Sequence, residues 1–210
     1  MKLGLTGGMG CGKSSALLYF AECGAAVVES DRIVRELLAN DSVVHKDVRA
    51  AFGPEVFDSE GRPDHRAIAR IVFADRSALE RLEAILHPRV RATWKRRIEA
   101  EPERTAVVEI PLLFEKNLEK SFDFSLCVVS DAATARDRLA KRGLNEEEIS
   151  LRIARQMPLS QKIALADFVI LNNGSPEFLR RQVHALAEEL ASTEPKPSAF
   201  PDPTSSTRFT

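Results

Sequence analysis

Short apolar runs alternate along this chain with stretches whose apolar residues recur at helical spacing. Lys2-Leu3-Gly4-Leu5-Thr6 is short and apolar enough for a buried strand, and beyond it Leu17, Phe20 and Ala21 share one helical face. Ala25-Ala26-Val27-Val28-Glu29 reads as a second strand. Ile33, Val34, Leu37 and Leu38 then mark one side of a helix, with Asp31 at the junction. The strand pattern resumes at Thr105-Ala106-Val107-Val108-Glu109-Ile110, halts at Pro111, and returns at Phe124-Ser125-Leu126-Cys127-Val128-Val129 and at Phe168-Val169-Ile170-Leu171. A closing amphipathic helix carries Phe178, Val183, Leu186 and Leu190. Five short apolar strands separated by helices predict an α/β fold built on a five-stranded parallel sheet.

Two stretches break this alternation. Phe52-Gly53-Pro54 and Asp58-Ser59-Glu60-Gly61-Arg62-Pro63 are turn-rich, and Leu79, Leu82, Leu86 and Val90 follow in helical register. They predict a mostly helical insertion over residues 40–103, between core segments 1–39 and 104–191, with His87-Pro88 at the end of an apolar helical stretch. The second stretch lies between the last two strands, where Arg136, Arg138, Lys141, Arg142, Arg152 and Arg155 surround Asn145-Glu146-Glu147-Glu148. Those glutamates suit the first turn of a helix, whose dipole favours negative charge there. Residues 192–210 carry Pro195, Pro197, Pro201 and Pro203 among Ser and Thr, too little apolar material to pack, and a disordered tail is expected.

Composition narrows the class. A length of 210 residues with 44% hydrophobic content suits one α/β domain with an insertion, or two small domains. No membrane span or signal-peptide core is evident, so the cytoplasm is the expected location and no membrane partner is expected. Cys11, Cys23 and Cys127 are odd in number and lack C-x-x-C spacing, which argues for reduced thiols over a disulfide framework or a structural zinc site. Thirty basic against 31 acidic residues give a net charge of −1, so nothing suggests a surface built to coat nucleic acid, no nucleic-acid partner is expected, and any polyanion must be met locally. A monomer or weak homo-oligomer is the expected state.

The candidate chemistry is concentrated in Gly7-Gly8-Met9-Gly10-Cys11-Gly12-Lys13-Ser14, which fits the phosphate-binding pattern G-x-x-x-x-G-K-[ST] at every specified position. It sits where the pattern requires, after a strand and before a helix. Glycines let successive amides turn inward around phosphate oxygens, the following helix presents its positive end, Lys13 adds a mobile charge and Ser14 offers a hydroxyl to Mg²⁺. The predicted ATP-binding set is Gly8, Gly10, Cys11, Gly12, Lys13, Ser14 and Ser15, with Ser14 also the metal ligand. A glycine-rich turn that binds nothing is the bland alternative. The Cys11 thiol lies beside a helix N-terminus and Lys13, both of which favour thiolate, so a redox-sensitive loop and a merely tolerated small residue both stay open. The loop fixes the donor alone; a P-loop kinase acting on a nucleoside or nucleotide, or a non-enzymatic nucleotide switch, carries the same motif.

Further segments bear on the acceptor. Leu5-Thr6 with the glycine run, Ser30-Asp31-Arg32-Ile33-Val34, Leu86-His87-Pro88, Pro111-Leu112-Leu113-Phe114-Glu115, Arg152-Ile153-Ala154-Arg155-Gln156-Met157-Pro158 and Ala166-Asp167-Phe168-Val169-Ile170-Leu171-Asn172-Asn173-Gly174 occur in this order. In them the chain resembles the dephospho-coenzyme A kinase family over residues 2–190. The resemblance implies a three-layer P-loop kinase core, a helical CoA-binding domain at residues 40–103 and a lid at about 142–157. It also implies ATP-dependent phosphorylation of the ribose 3′-hydroxyl of dephospho-CoA.

The site residues that follow from the resemblance are Asp31 beside the acceptor hydroxyl, Lys13, Arg142 and Arg152 on the transferring phosphoryl group, and His87, Pro111, Leu112, Leu113 and Glu115 on the acceptor side. Asn172 and Gly174 match the region contacting adenine. Each has a structural counterpart: Asp31 also suits a helix N-cap, Leu113 and Phe114 suit a core, Asn172-Asn173-Gly174 suits a turn, and helical arginines pair readily with acids such as Glu146. Arg136 and Arg155 are weaker phosphate candidates. The chain departs from the family pattern at Glu29 and Glu109, where Asp is frequent, at Leu171, where a carboxylate is lost, and at His65, which replaces a common Arg.

Overall fold

The computed structural model describes residues 1–193; residues 194–210, and with them the expected disordered tail, lie outside the described residues. Strands β1 (Lys2–Gly7), β2 (Ala26–Glu29), β3 (Ala106–Glu109), β4 (Phe124–Val129) and β5 (Phe168–Leu171) form one parallel sheet in the order β2-β3-β1-β4-β5, with helices on both faces. All five fall on the predicted apolar runs. β1 is the central strand and is buried from Leu3 to Gly7, as expected where both faces are covered. Its register pairs Leu5 with Glu109 and Thr6 with Cys127, which aligns the exits of β3 and β4 with its own.

The helices are α1 (Lys13–Glu22), α2 (Ser30–Asn40), α3 (Ser42–Phe52), α4 (His65–Ala74), α5 (Arg76–Glu99), α6 (Ala132–Ala140), α7 (Glu146–Ala154), α8 (Leu159–Leu165) and α9 (Pro176–Ser192). The chain divides into two compact units: Met1–Val28 with the chain from Glu101 onward, and Glu29–Ala100.

In the sheet unit, Leu17 and Phe20 of α1 and Leu179, Val183 and Leu190 of α9 pack with Leu3, Leu5 and Leu126. Each fully buried side chain of this size contributes about 1.5–3 kcal/mol. α7 opens with a capping box: the Asn145 side chain accepts from the Glu148 amide, and Glu148 accepts from the Asn145 amide. That is the first turn the glutamate run predicts. The outer strand β5 leaves Val169 and Leu171 exposed. Because the Asn172 amide bonds Val129 of β4, the amide and carbonyl of Leu171 face the open edge, and the Gln182 side chain of α9 meets both, at 3.2 and 2.8 Å.

The helical unit has its own core, in which Val44, Val48, Ile68, Val72 and Leu86 are buried. Asp41, Asp64 and Asp75 cap α3, α4 and α5 through their side chains. Leu38 belongs to this core, with Val34 and Leu37 packed against it, so α2 joins the helical unit although the sequence reading begins that domain at residue 40. The His87-Pro88 pair also differs from expectation: α5 runs through it without ending. Proline removes one amide from the helix ladder. Nearby, Arg89 Nη1 donates to the Ile85 carbonyl at 3.1 Å, while its Nη2 bonds Asp47 of α3 at 2.9 Å.

Candidate active site

In an open parallel sheet, ligands bind beyond the carboxyl ends of the strands, where the connections switch direction. Here the chain builds β2 and β3 to one side of β1, then crosses to β4 on the other, so the switch lies at β1. The glycine run leaves the sheet at that point.

Two of its glycines are fixed by geometry. Gly10 has φ 78°, and a Cβ there would lie 2.5 Å from the Ala135 carbonyl oxygen; Gly12 has φ 90°, and its Cβ would lie 2.1 Å from Asn172 Nδ2. A side chain would meet both a left-handed backbone and an occupied space. The close approach at Gly12 has a purpose: Asn172 Nδ2 donates to the Cys11 carbonyl at 2.9 Å, and its Oδ1 accepts from Arg138 Nη2 at 3.4 Å. Asn172 is 5% exposed and anchors the loop from beneath. Its side chain pins the loop, at a position where the resemblance implies a contact with adenine. Gly174 is exposed after β5.

α1 starts at Lys13 without a side-chain cap, a helix start suited to an anion. Lys13 Nζ donates to the carbonyls of Gly8 at 2.9 Å and Gly7 at 3.3 Å. Ser15 is exposed in the first turn. Ser14 Oγ donates to Glu109 Oε2 at 3.4 Å, and Glu109, at the end of β3, is 8% exposed. A hydroxyl beside a carboxylate is a hard-oxygen donor pair of the kind Mg²⁺ accepts, alongside phosphates and water. Among the described residues, no three His, Cys, Asp or Glu side chains cluster as a metal cage.

Cys11 is 1% exposed and packs in the core, with its thiol turned inward beside Gly8 of the loop. This packing supports the small-residue reading over the reactive one, which needs exposure. Cys127 on β4 is buried as well, and that burial, with Cys11 nearby, pushes its thiol up from 9.0 to about 11.

The segment after β3 divides in two. Pro111 and Leu112 are half-buried, whereas Leu113 is 0% exposed and lies in the core, so Leu113 is not a side-chain contact for a substrate. Glu115 Oε1 accepts from Lys162 Nζ at 2.8 Å and from the Met157 amide at 2.9 Å. That oxygen is committed within the protein.

Arg138 Nη1 bonds Ser130 Oγ at 3.0 Å and lies 3.8 Å from the space a Gly12 Cβ would fill, so it borders the loop. Arg142 is exposed beyond α6, Arg152 is half-buried on α7, and Arg155 is exposed. Arg136 is paired with Glu146.

Asp31 and His87 belong to the helical unit. Asp31 is exposed in the first turn of α2, and its carboxylate neither caps the helix nor pairs with a cation among the described residues. His87 is half-buried within α5.

Sequence reasoning missed three residues. Glu109 registers there only as a departure from pattern, although an acid closing an apolar strand beside the phosphate loop is a usable signal. Arg138 is one arginine among several. Lys162, in Leu159–Leu165, looks like an ordinary solvated lysine and is wholly buried.

The family model described as Dephospho-CoA kinase matches residues 1–177. A curated dephospho-CoA kinase from Thermobifida fusca is 40% identical over 192 residues, covering 90% of this chain and 96% of the relative. The crystal structure of TT1252 from Thermus thermophilus is similar with a TM-score of 0.79 at 34% identity, over 90% of this chain and 97% of that one. The dephospho-CoA kinase from Campylobacter jejuni shares the fold, with a TM-score of 0.66 at 23% identity over 90% and 98% of the two chains.

Proposed function

The chain belongs to the dephospho-CoA kinase family, and on that premise we propose how its residues transfer the phosphoryl group. The activity is ATP-dependent phosphorylation of dephospho-CoA in coenzyme A synthesis. The acceptor is the ribose 3′-hydroxyl, and the products are CoA and ADP. The observation that carries the site assignment is the pairing of Ser14 with Glu109 at the mouth of a glycine loop anchored by Asn172.

Amides of the glycine loop and of the first turn of α1 hold the triphosphate, and Lys13 exchanges the carbonyls of Gly7 and Gly8 for phosphate oxygens. Ser14 and Glu109 would hold Mg²⁺, directly or through water; the bound ion neutralises charge on the phosphate oxygens. Asp31 orients the acceptor hydroxyl and takes its proton. Its exposed carboxylate, with no capping duty, supports that role. Because the transition state is loose, alignment matters more than early deprotonation.

Arg142 and Arg152, on a lid at residues 142–157, close over the transferring group as water leaves, where guanidinium forks match phosphate oxygens. Arg138 joins them from beside the loop. Residues 40–103 present dephospho-CoA, with His87 on the substrate side and Pro111 and Leu112 lining the acceptor pocket. Gly174 borders the adenine. Three free cysteines are compatible with a reducing cytoplasm.

The test is direct: ATP and dephospho-CoA are expected to give ADP and CoA, with nucleosides and nucleoside monophosphates poor acceptors. Phosphorylation of one of those under conditions where dephospho-CoA fails would overturn the reading.

A further inference from the structure

Lys162 is the buried charge that the mechanism above leaves unused: its side chain is 0% exposed. An ammonium removed from water persists only where acceptors take its hydrogens. Lys162 Nζ donates to the Pro111 carbonyl at 2.7 Å and to Glu115 Oε1 at 2.8 Å. One side chain from α8 thus holds both ends of the stretch 111–115 that follows β3.

Each acceptor is shared with a second donor. The Pro111 carbonyl also accepts from Thr6 Oγ1 at 3.1 Å, one residue before the glycine run, and Glu115 Oε1 also accepts from the Met157 amide at 2.9 Å. A continuous path therefore runs Thr6–Pro111–Lys162–Glu115–Met157, from the root of the phosphate loop to the base of segment 142–157. Glu115 Oε2 is buried with no hydrogen-bond partner among the described residues, so the orientation of this carboxylate depends on its other oxygen.

We propose that Lys162 is a positioning residue for phosphoryl transfer. From α8 it fixes the base of the lid relative to the phosphate loop, so that Arg142 and Arg152 arrive in line with the transferring group when the lid closes. The proposal rests on the reading of residues 142–157 as a lid. ATP is held chiefly through loop amides and Lys13, which Lys162 does not bond, whereas transfer depends on alignment at the reacting atoms. The effect therefore belongs in kcat and not in the KM for ATP.

Lys162→Met alone strands a buried carboxylate and can fail to fold, so the deciding variant is Lys162→Met with Glu115→Gln, which removes both charges and leaves an acceptor for Met157. For the folded double variant, kcat with dephospho-CoA is expected to fall about tenfold or more while the KM for ATP stays within about twofold. Hydrogen exchange at the Met157 amide should accelerate by about tenfold, with amides of β1 and α1 unchanged. A purely structural ion pair would lower the melting temperature and leave kcat per folded enzyme intact; that result, or a lost kcat without faster exchange at Met157, overturns the proposal. Arg142→Ala and Arg152→Ala in the same assay separate the failures. If both keep full kcat, the lid reading falls; if they lose it and the double variant does not, only the role of Lys162 falls.

Discussion

At the scale of single residues, the site is a set of charges whose availability differs. Asp31 is exposed and uncommitted among the described residues, so Asp31→Asn is expected to keep ATP affinity and lower kcat by about 10²–10⁴, the usual worth of a positioned base. A near-parental kcat, read by steady-state assay, would remove Asp31 from the acceptor site. Glu109 is the opposite case, a buried acid that accepts from the hydroxyl of Ser14. Glu109→Gln should raise the Mg²⁺ concentration needed for half-maximal rate, and an unchanged Mg²⁺ titration would exclude it as a metal ligand. Cys127 gives a pH signature: its raised pKa means that the folded chain keeps a proton the unfolded chain releases. The part of the stability that depends on this thiol is complete below pH 9 and is lost as pH rises through about 11. Parent enzyme should lose on the order of 2 kcal/mol more than Cys127→Ala across that interval, measured by denaturant melts at each pH.

At the scale of elements, the phosphate loop was readable because its requirements are local: a strand, glycines at positive φ and a helix start are written in consecutive residues. Its anchor was not. Asn172 reaches the Cys11 carbonyl from 161 residues away, Glu109 reaches Ser14 from 95, and Lys162 reaches Pro111 from 51; none of these distances has a periodicity. A lone Asn after a strand reads as a turn, and a lone Lys in a short helix reads as solvated, until the fold brings their partners in. The same limit explains Leu113, which follows β3 as predicted but points into the core. Asn172→Ala should take from the Cys11 carbonyl its 2.9 Å donor and leave only the 3.5 Å approach of Ser130 Oγ, at a cost of about 1–3 kcal/mol, and loosen the loop. Calorimetry should register the lower melting temperature, and kinetics a raised KM for ATP. An unchanged KM would mean that the loop holds its shape without the pin.

At the scale of the whole molecule, the chain forms two units with separate cores, the helical one running Glu29–Ala100 where the sequence reading begins it at residue 40. Periodicity identifies α2 as amphipathic; it cannot say which core receives the apolar face, because Leu38 shares its buried cluster with residues of α3, α4 and α5 that are remote in sequence. The sheet itself ends at β5, whose outward Val169 and Leu171 invite a further strand. Gln182 answers that invitation with a side-chain amide that occupies both hydrogen-bonding groups of Leu171. The consequence concerns shelf life and colloidal behaviour. Gln182→Leu should leave the turnover of fresh enzyme unaffected, yet concentrated solutions should scatter more light over days of storage as open edges find one another. Stored samples as clear as the parent would mean that the edge is protected by something other than this single amide.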